Sequence, residues 1–266
     1  MCGSPLFSKE DMCYENVRIA RGFVHCRIKF FPNNLPPSLI NACLKSKQAY
    51  DCCSFFNSKS LGRINMAQIA VDVVLIPSDR ITNMAIEANR ELLKKYPQKI
   101  ILDREKCLPH ISLAMGCIDR RKITEIEIIL RKIAEDLSIR FLNIVNVHTH
   151  TNIAGEKVSV LQVEKTNRLQ SLHEKVMTSM KPYFRYDVTA DMLLSDGIVG
   201  ESSLQWIKNY PAESGYGNFS PHITLGYGEI RLEIFPVRFN VSKIALCHLG
   251  NHCTCRKVLA AAELTA

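Results

Sequence analysis

Long apolar runs are missing from this 266-residue chain. The longest, such as Ile69 to Ile76, are strand-sized and fall well short of the roughly 20 residues that a membrane-crossing helix needs. The start, Met1-Cys2-Gly3-Ser4, lacks the cationic beginning and apolar core of a signal peptide. A soluble protein of the cytoplasm, with no membrane partner, is the expectation. A basic stripe is lacking too. The net charge is +8, but residues 1–65 hold nine Lys or Arg against four acids, and the remainder holds twenty-five against twenty-two. So mild a body suits a small anionic ligand in a local pocket better than a long nucleic-acid track. A disulfide frame is excluded by the same kind of argument. The eleven cysteines are odd in number and six of them precede residue 66, which fits reduced thiols.

What is present is hydrophobic content, 47%, enough for a substantial core, and one repeated motif. Pro109-His110-Ile111-Ser112-Leu113 returns 112 residues later as Pro221-His222-Ile223-Thr224-Leu225, each copy followed shortly by a glycine, Gly116 and Gly226. Histidine, apolar, hydroxyl, apolar is a strand whose imidazole and hydroxyl project from one face. A bare His-x-Ser/Thr is a weak signal in a chain with eight histidines, as His252-Cys253-Thr254 illustrates. The weight lies on the five-residue agreement.

Around these motifs the rhythm from Met66 onward is regular. A strand over Ala67 to Ile76 precedes a helix that Ser78 can cap, with Ile81, Met84, Ala85, Ala88 and Leu92 on one face. The first motif strand runs from about His110 to Cys117. A second helix begins at Asp119 or Thr124 with Ile126, Leu130, Ile133 and Leu137 at core spacing. Strands follow over Ile139 to Thr149 and Lys157 to Glu164. A third helix, Asn167 to Met180, turns Leu169, Leu172, Val176 and Met180 inward and leaves His173 solvated. Asp187 to Phe219, with its glycines and Pro211, reads as a loop tract in which Trp206 belongs to the core, while Tyr216 and Phe219 could line the mouth of a site and stack on a base. Strands over Val237 to His248 and Cys255 to Ala262 complete the chain. Residues 1–65 show no sustained period and are expected to hold little stable structure, as an extension to a domain spanning 66–266. Cys247, His248, His252, Cys253 and Cys255 crowd nine residues but lack the second ligand pair of a zinc knuckle, so no metal is assigned. His148 and His150 are assigned to an exposed strand edge.

A phosphate between the two motif strands would be flanked by His110 and His222 and gripped by Ser112 and Thr224. One imidazole would deprotonate the attacking oxygen and the other would protonate the departing one. The paired strands resemble the two signatures of the 2H phosphoesterase superfamily, which includes 2',5' RNA ligase-like proteins and cyclic phosphodiesterases. The resemblance spans roughly residues 66–262. It implies an α+β, bilobal fold with one motif per lobe, and a metal-independent phosphodiesterase without cofactor acting on 2',3'-cyclic or 2',5'-linked nucleotide or RNA-end phosphates. It also implies His110 and His222 as the catalytic pair, with Ser112 and Thr224 as phosphate ligands. Tyr227, Tyr216 and Phe219 complete the substrate-binding set, Tyr227 standing where RNA ligase-like members often place an arginine. A monomer without an obligate protein partner is expected. The alternatives are a nucleotide-binding module without turnover and a hydrolase of cyclic dinucleotides or 2',5'-oligoadenylates.

Overall fold

In the computed structural model the chain divides into two compact units, Met1–Ile64 and Asn65–Ala266. The described residues are 14–20, 23–28 and 68–264 without 97–98, 137–138, 140, 153–154 and 196. In the first unit these are strands β1 (Tyr14–Ala20) and β2 (Phe23–Ile28), paired antiparallel. The expectation of little stable structure over 1–65 otherwise lies outside the described residues.

The second unit is α+β. It is built from β3 (Gln68–Pro77), α1 (Asp79–Leu93), β4 (Ile111–Asp119), α2 (Ile123–Glu135), β5 (Phe141–Thr151), β6 (Lys157–Val163), α3 (Asn167–Met180), α4 (Glu201–Glu213), β7 (His222–Tyr227), β8 (Val237–Leu249) and β9 (Cys255–Glu263). The strands form one antiparallel sheet in the order β4-β3-β8-β5-β6-β7, with β9 added to β8. The long β8 serves two partners in succession. Residues 237–240 pair with β5, and residues 241–248 pair with β3. The two ends of the path, β4 and β7, nevertheless touch. They are the two motif strands.

Helices cross between the halves of this sheet. α1, which follows β3, packs on β7, while α3, which follows β6, packs on β4. Each motif strand is therefore backed by a helix from the other half of the sequence. The expected helix faces are the buried ones: Ile81, Ala85, Ala88 and Leu92 in α1, Ile126, Leu130 and Ile133 in α2, and Leu169, Leu172, Val176 and Met180 in α3. Leu137 lies outside the described residues. Burying each such aliphatic side chain contributes about 1.5–3 kcal/mol before chain entropy is counted. Thr166 caps α3 by accepting from the Leu169 amide. Ser78 makes no side-chain cap for α1; its carbonyl accepts from Ile81 and Thr82 instead, with Asp79 in the first turn.

Three expectations are corrected. The tract from Asp187 to Phe219 contains α4, with Pro211 in its last turn. Only Ser203, Ile207 and Tyr210 of α4 are buried, so its apolar stripe is too thin to stand out among flanking glycines. What fixes it is tertiary: Ser203 donates to Asn251 Oδ1 at 2.9 Å and accepts from the His252 amide, tying α4 to the β8–β9 turn. Trp206 is 39% exposed rather than core, because it lies off that stripe. His173 is fully buried rather than solvated. Its Nδ1 donates to the Leu113 carbonyl at 2.7 Å and its Nε2 accepts from the Tyr216 amide at 2.8 Å, so both ring nitrogens are satisfied without water.

β3 is buried on both faces. Val71, Val73 and Leu75 join the main core, while Val74 joins Ala245, Cys247 and Cys255 in a second, smaller cluster edged by Ile76, Leu108 and Ala261. Asp72 shares the Val74 side by alternation and is also fully buried. Among the described residues, no helix is long and apolar enough to cross a membrane.

Candidate functional site

The two copies of the motif adopt the same local conformation. Along both, proline, the central isoleucine and leucine are buried, and histidine and hydroxyl are half-buried, so each strand shows an imidazole and a hydroxyl on one side. In each copy the imidazole turns back on its own chain. His110 Nδ1 lies 2.7 Å from the Leu108 carbonyl, and His222 Nδ1 lies 2.8 Å from the Ser220 carbonyl. A carbonyl only accepts, so Nδ1 carries the hydrogen and Nε2 keeps its lone pair. Both side chains are thus prepared as bases, or as acids once Nε2 is protonated.

The glycines after the motifs have separate reasons. A Cβ on Gly116 would stand 2.8 Å from the Phe184 ring, which packs over β4. Gly226 has φ +140°, closed to L side chains, and sits against Asn89 of α1. Asn89 is fully buried. Its Nδ2 donates to the Leu225 carbonyl at 2.7 Å and to the Ile100 carbonyl at 3.0 Å, and its Oδ1 accepts from the Leu102 amide at 2.9 Å. It therefore holds the second motif to the segment that leads into the first.

Burial lowers the pKa of both histidines. For His110 it outweighs the Leu108 hydrogen bond, and the nearby His222 adds to it, giving about 4. For His222 burial again dominates, opposed by Ser220 and reinforced by His150. His222 thus acts on His110, although their strands end opposite sides of the sheet path. His150 and His148 are exposed on β5 with rings stacked at 6.3 Å. β6 separates them from β7, yet His150 lies near enough to act on His222.

The hydroxyls differ. Ser112 Oγ donates to Asp72 Oδ2 at 2.6 Å, and the same oxygen is 3.9 Å from His110 Nε2. Burial pushes the Asp72 carboxyl well above its ordinary range, against the Ser112 hydrogen bond. Asp72 Oδ1 has no hydrogen-bond partner. Asp72 is hidden in the sequence by its setting, one acid inside an apolar strand, and a carboxylate at that place is the available signal. Thr224 has no corresponding protein partner among the described residues, and its cross-strand neighbour is Val160.

The aromatics separate. Phe219 is 3% exposed and stacks on the buried His173 with ring centroids 4.1 Å apart, so its face is already occupied rather than open to a base. Tyr216 is 44% exposed, with φ +50°. Tyr227 is half-buried, its hydroxyl 3.1 Å from His252 Nδ1 and its ring under the Lys99 ammonium. Of the crowded residues near 250, Cys247 and Cys255 stay together in the small second cluster, and the others part. His248 donates Nε2–H to the Met192 carbonyl, His252 meets Tyr227, and Cys253 meets the Ser203 carbonyl. Only Cys255 reaches Asp72 and His110, with the three ligand-type atoms within 4.8 Å of one another.

A curled antiparallel sheet with a histidine and a hydroxyl on each of two touching strands defines the class of site. Among solved structures the chain is similar to the apo form of E. coli LigT, at a TM-score of 0.41 and 13% identity, covering 75% of this chain and 99% of that one. It is similar to a phosphoesterase at 0.41 and 12%, covering 74% and 99%. The E. coli LigT structure complexed with phosphate gives 0.40 and 14%, covering 75% and 99%. No family model matches the chain, and no curated protein matches it.

Proposed function

We propose that this protein is a metal-independent phosphodiesterase that opens 2',3'-cyclic or 2',5'-linked nucleotide phosphates by acid–base catalysis between His110 and His222. The observation that carries this reading is the duplicated clamp: two imidazoles, each fixed through Nδ1 to the carbonyl two residues back, on two motif strands that touch. Because burial keeps His110 neutral down to about pH 4, its Nε2 acts as the base. It takes a proton from water, the water oxygen attacks phosphorus in line, and the bond from phosphorus to one ribose oxygen breaks. That oxygen takes a proton from the His222 imidazolium, whose charge the substrate phosphate favours. Proton exchange with solvent restores both rings.

Thr224 donates to a non-bridging oxygen. Ser112 does the same once the neutral Asp72 carboxyl supplies the hydrogen of their mutual bond, freeing the serine hydrogen to turn outward. Oxygen ligands of this kind act where negative charge grows during attack. The test is turnover of a nucleoside 2',3'-cyclic phosphate and a 2',5'-linked dinucleotide by the full chain in excess chelator, followed by phosphorus NMR. Hydrolysis that survives chelation and disappears in His110→Ala and His222→Ala is expected. A protein that binds these compounds and never turns one over would sink the reading.

A further inference from the structure

Two buried groups lie beside His110, and only Asp72 enters that chemistry, through its hydrogen bond with Ser112. Cys255 lies under His110 at the start of β9, where Leu108 bridges to it through backbone pairing. Asp72 is fully buried and brings Oδ2 to 3.9 Å from His110 Nε2. We propose that Asp72, His110 and Cys255 form a binding site for a zinc-class divalent cation, which while bound withdraws the His110 imidazole from catalysis.

The donor set fits that class. A thiolate, an imidazole and a carboxylate select a borderline-soft metal, whereas magnesium and calcium take oxygen ligands alone. Their ligand atoms all lie within 4.8 Å of one another, and His110 Nε2 is 3.9 Å from Asp72 Oδ2. A tetrahedral zinc with bonds of about 2.0–2.3 Å sets its ligand atoms roughly 3.3–3.7 Å apart, so closing the site needs shifts of at most about 1 Å. The supporting contacts are already made. His110 Nδ1–H is held by the Leu108 carbonyl, which aims Nε2 inward, and the Ser112 hydroxyl donates to the carboxylate. The His110 side chain is 14% exposed, which leaves an approach from solvent.

Metal binding stands on these three side chains; its effect on turnover rests on the reading of His110 as the base. The full chain is stripped with chelator and loaded with Co2+ and then Zn2+. One tight equivalent is expected, with a thiolate-to-cobalt charge-transfer band in the near ultraviolet that zinc displaces. Cys255→Ala and His110→Ala each abolish the band and weaken zinc by at least about a hundredfold, more than loss of a supporting contact costs. Cys253→Ala keeps both. One equivalent of zinc suppresses cyclic-phosphate hydrolysis at least tenfold in the unaltered chain and spares Cys255→Ala. Should Cys255→Ala fail to fold, the partly exposed His110→Ala carries the binding test. An unchanged band in these two variants overturns the site, and tight zinc with undiminished hydrolysis overturns the shut-off. A metal-free chain without any turnover overturns the catalytic reading, while the cobalt band still decides the metal site.

Discussion

The two motif strands agree in sequence, burial pattern and imidazole clamp, yet they differ in what lies beneath them. Under β4 a fully buried Asp72 holds Ser112, with Cys255 alongside; beneath Thr224 on β7 the cross-strand neighbour is Val160. Local sequence therefore sets the shape of each half-site, and the neighbours set its proton affinity. His110 is driven to about 4. His222 moves in the same direction, with burial again the main cause. On the proposed reading, a duplicated motif yields one base and one acid.

The largest test of that asymmetry is kinetic. His110→Ala and His222→Ala should each lower kcat by about a hundredfold to ten-thousandfold, but they should remove different parts of the pH–rate profile. Loss of the acidic limb belongs to His110→Ala and loss of the alkaline limb to His222→Ala. The same limb missing from both profiles would erase the distinction between the strands.

A smaller effect is on stability. Between pH 6.5 and about 4 the unfolded chain binds a proton at position 110 that the folded chain refuses, so stability should fall as pH drops through that window. The loss attributable to His110 is roughly 3 kcal/mol. Urea unfolding at a series of pH values, with His110→Gln showing a flatter dependence, measures it. His173, His222 and His248 are shifted in the same direction, so part of the slope remains in that variant.

The smallest difference concerns the hydroxyls. Ser112→Ala leaves the buried Asp72 carboxyl without its partner and should cost about 1–3 kcal/mol of stability. Thr224→Ala breaks no protein hydrogen bond and should cost less than about 1 kcal/mol. Equal losses in thermal unfolding would mean that Asp72 does not separate the two strands.

Much of the α+β frame was legible because it depends on short-range periodicity. The strand over Gln68–Pro77 and the apolar faces of α1, α2 and α3 repeat at intervals that backbone geometry dictates. α4 escaped because three buried positions and an internal proline carry little periodic signal. The charged neighbours of His173 in sequence predict a solvated side chain, whereas its actual partners, Leu113 and Tyr216, come from other parts of the chain.

The sequence by itself determined the two histidine–hydroxyl strands, since alternation along a strand and a hydrogen bond to the carbonyl two residues back are consequences of a few adjacent residues. The tertiary structure decided that the strands meet, that Asp72 and Cys255 lie under one and not the other, and that Phe219 is spent on His173. Those outcomes depend on burial and on electrostatic neighbours 40 residues and more away, and no local pattern encodes them.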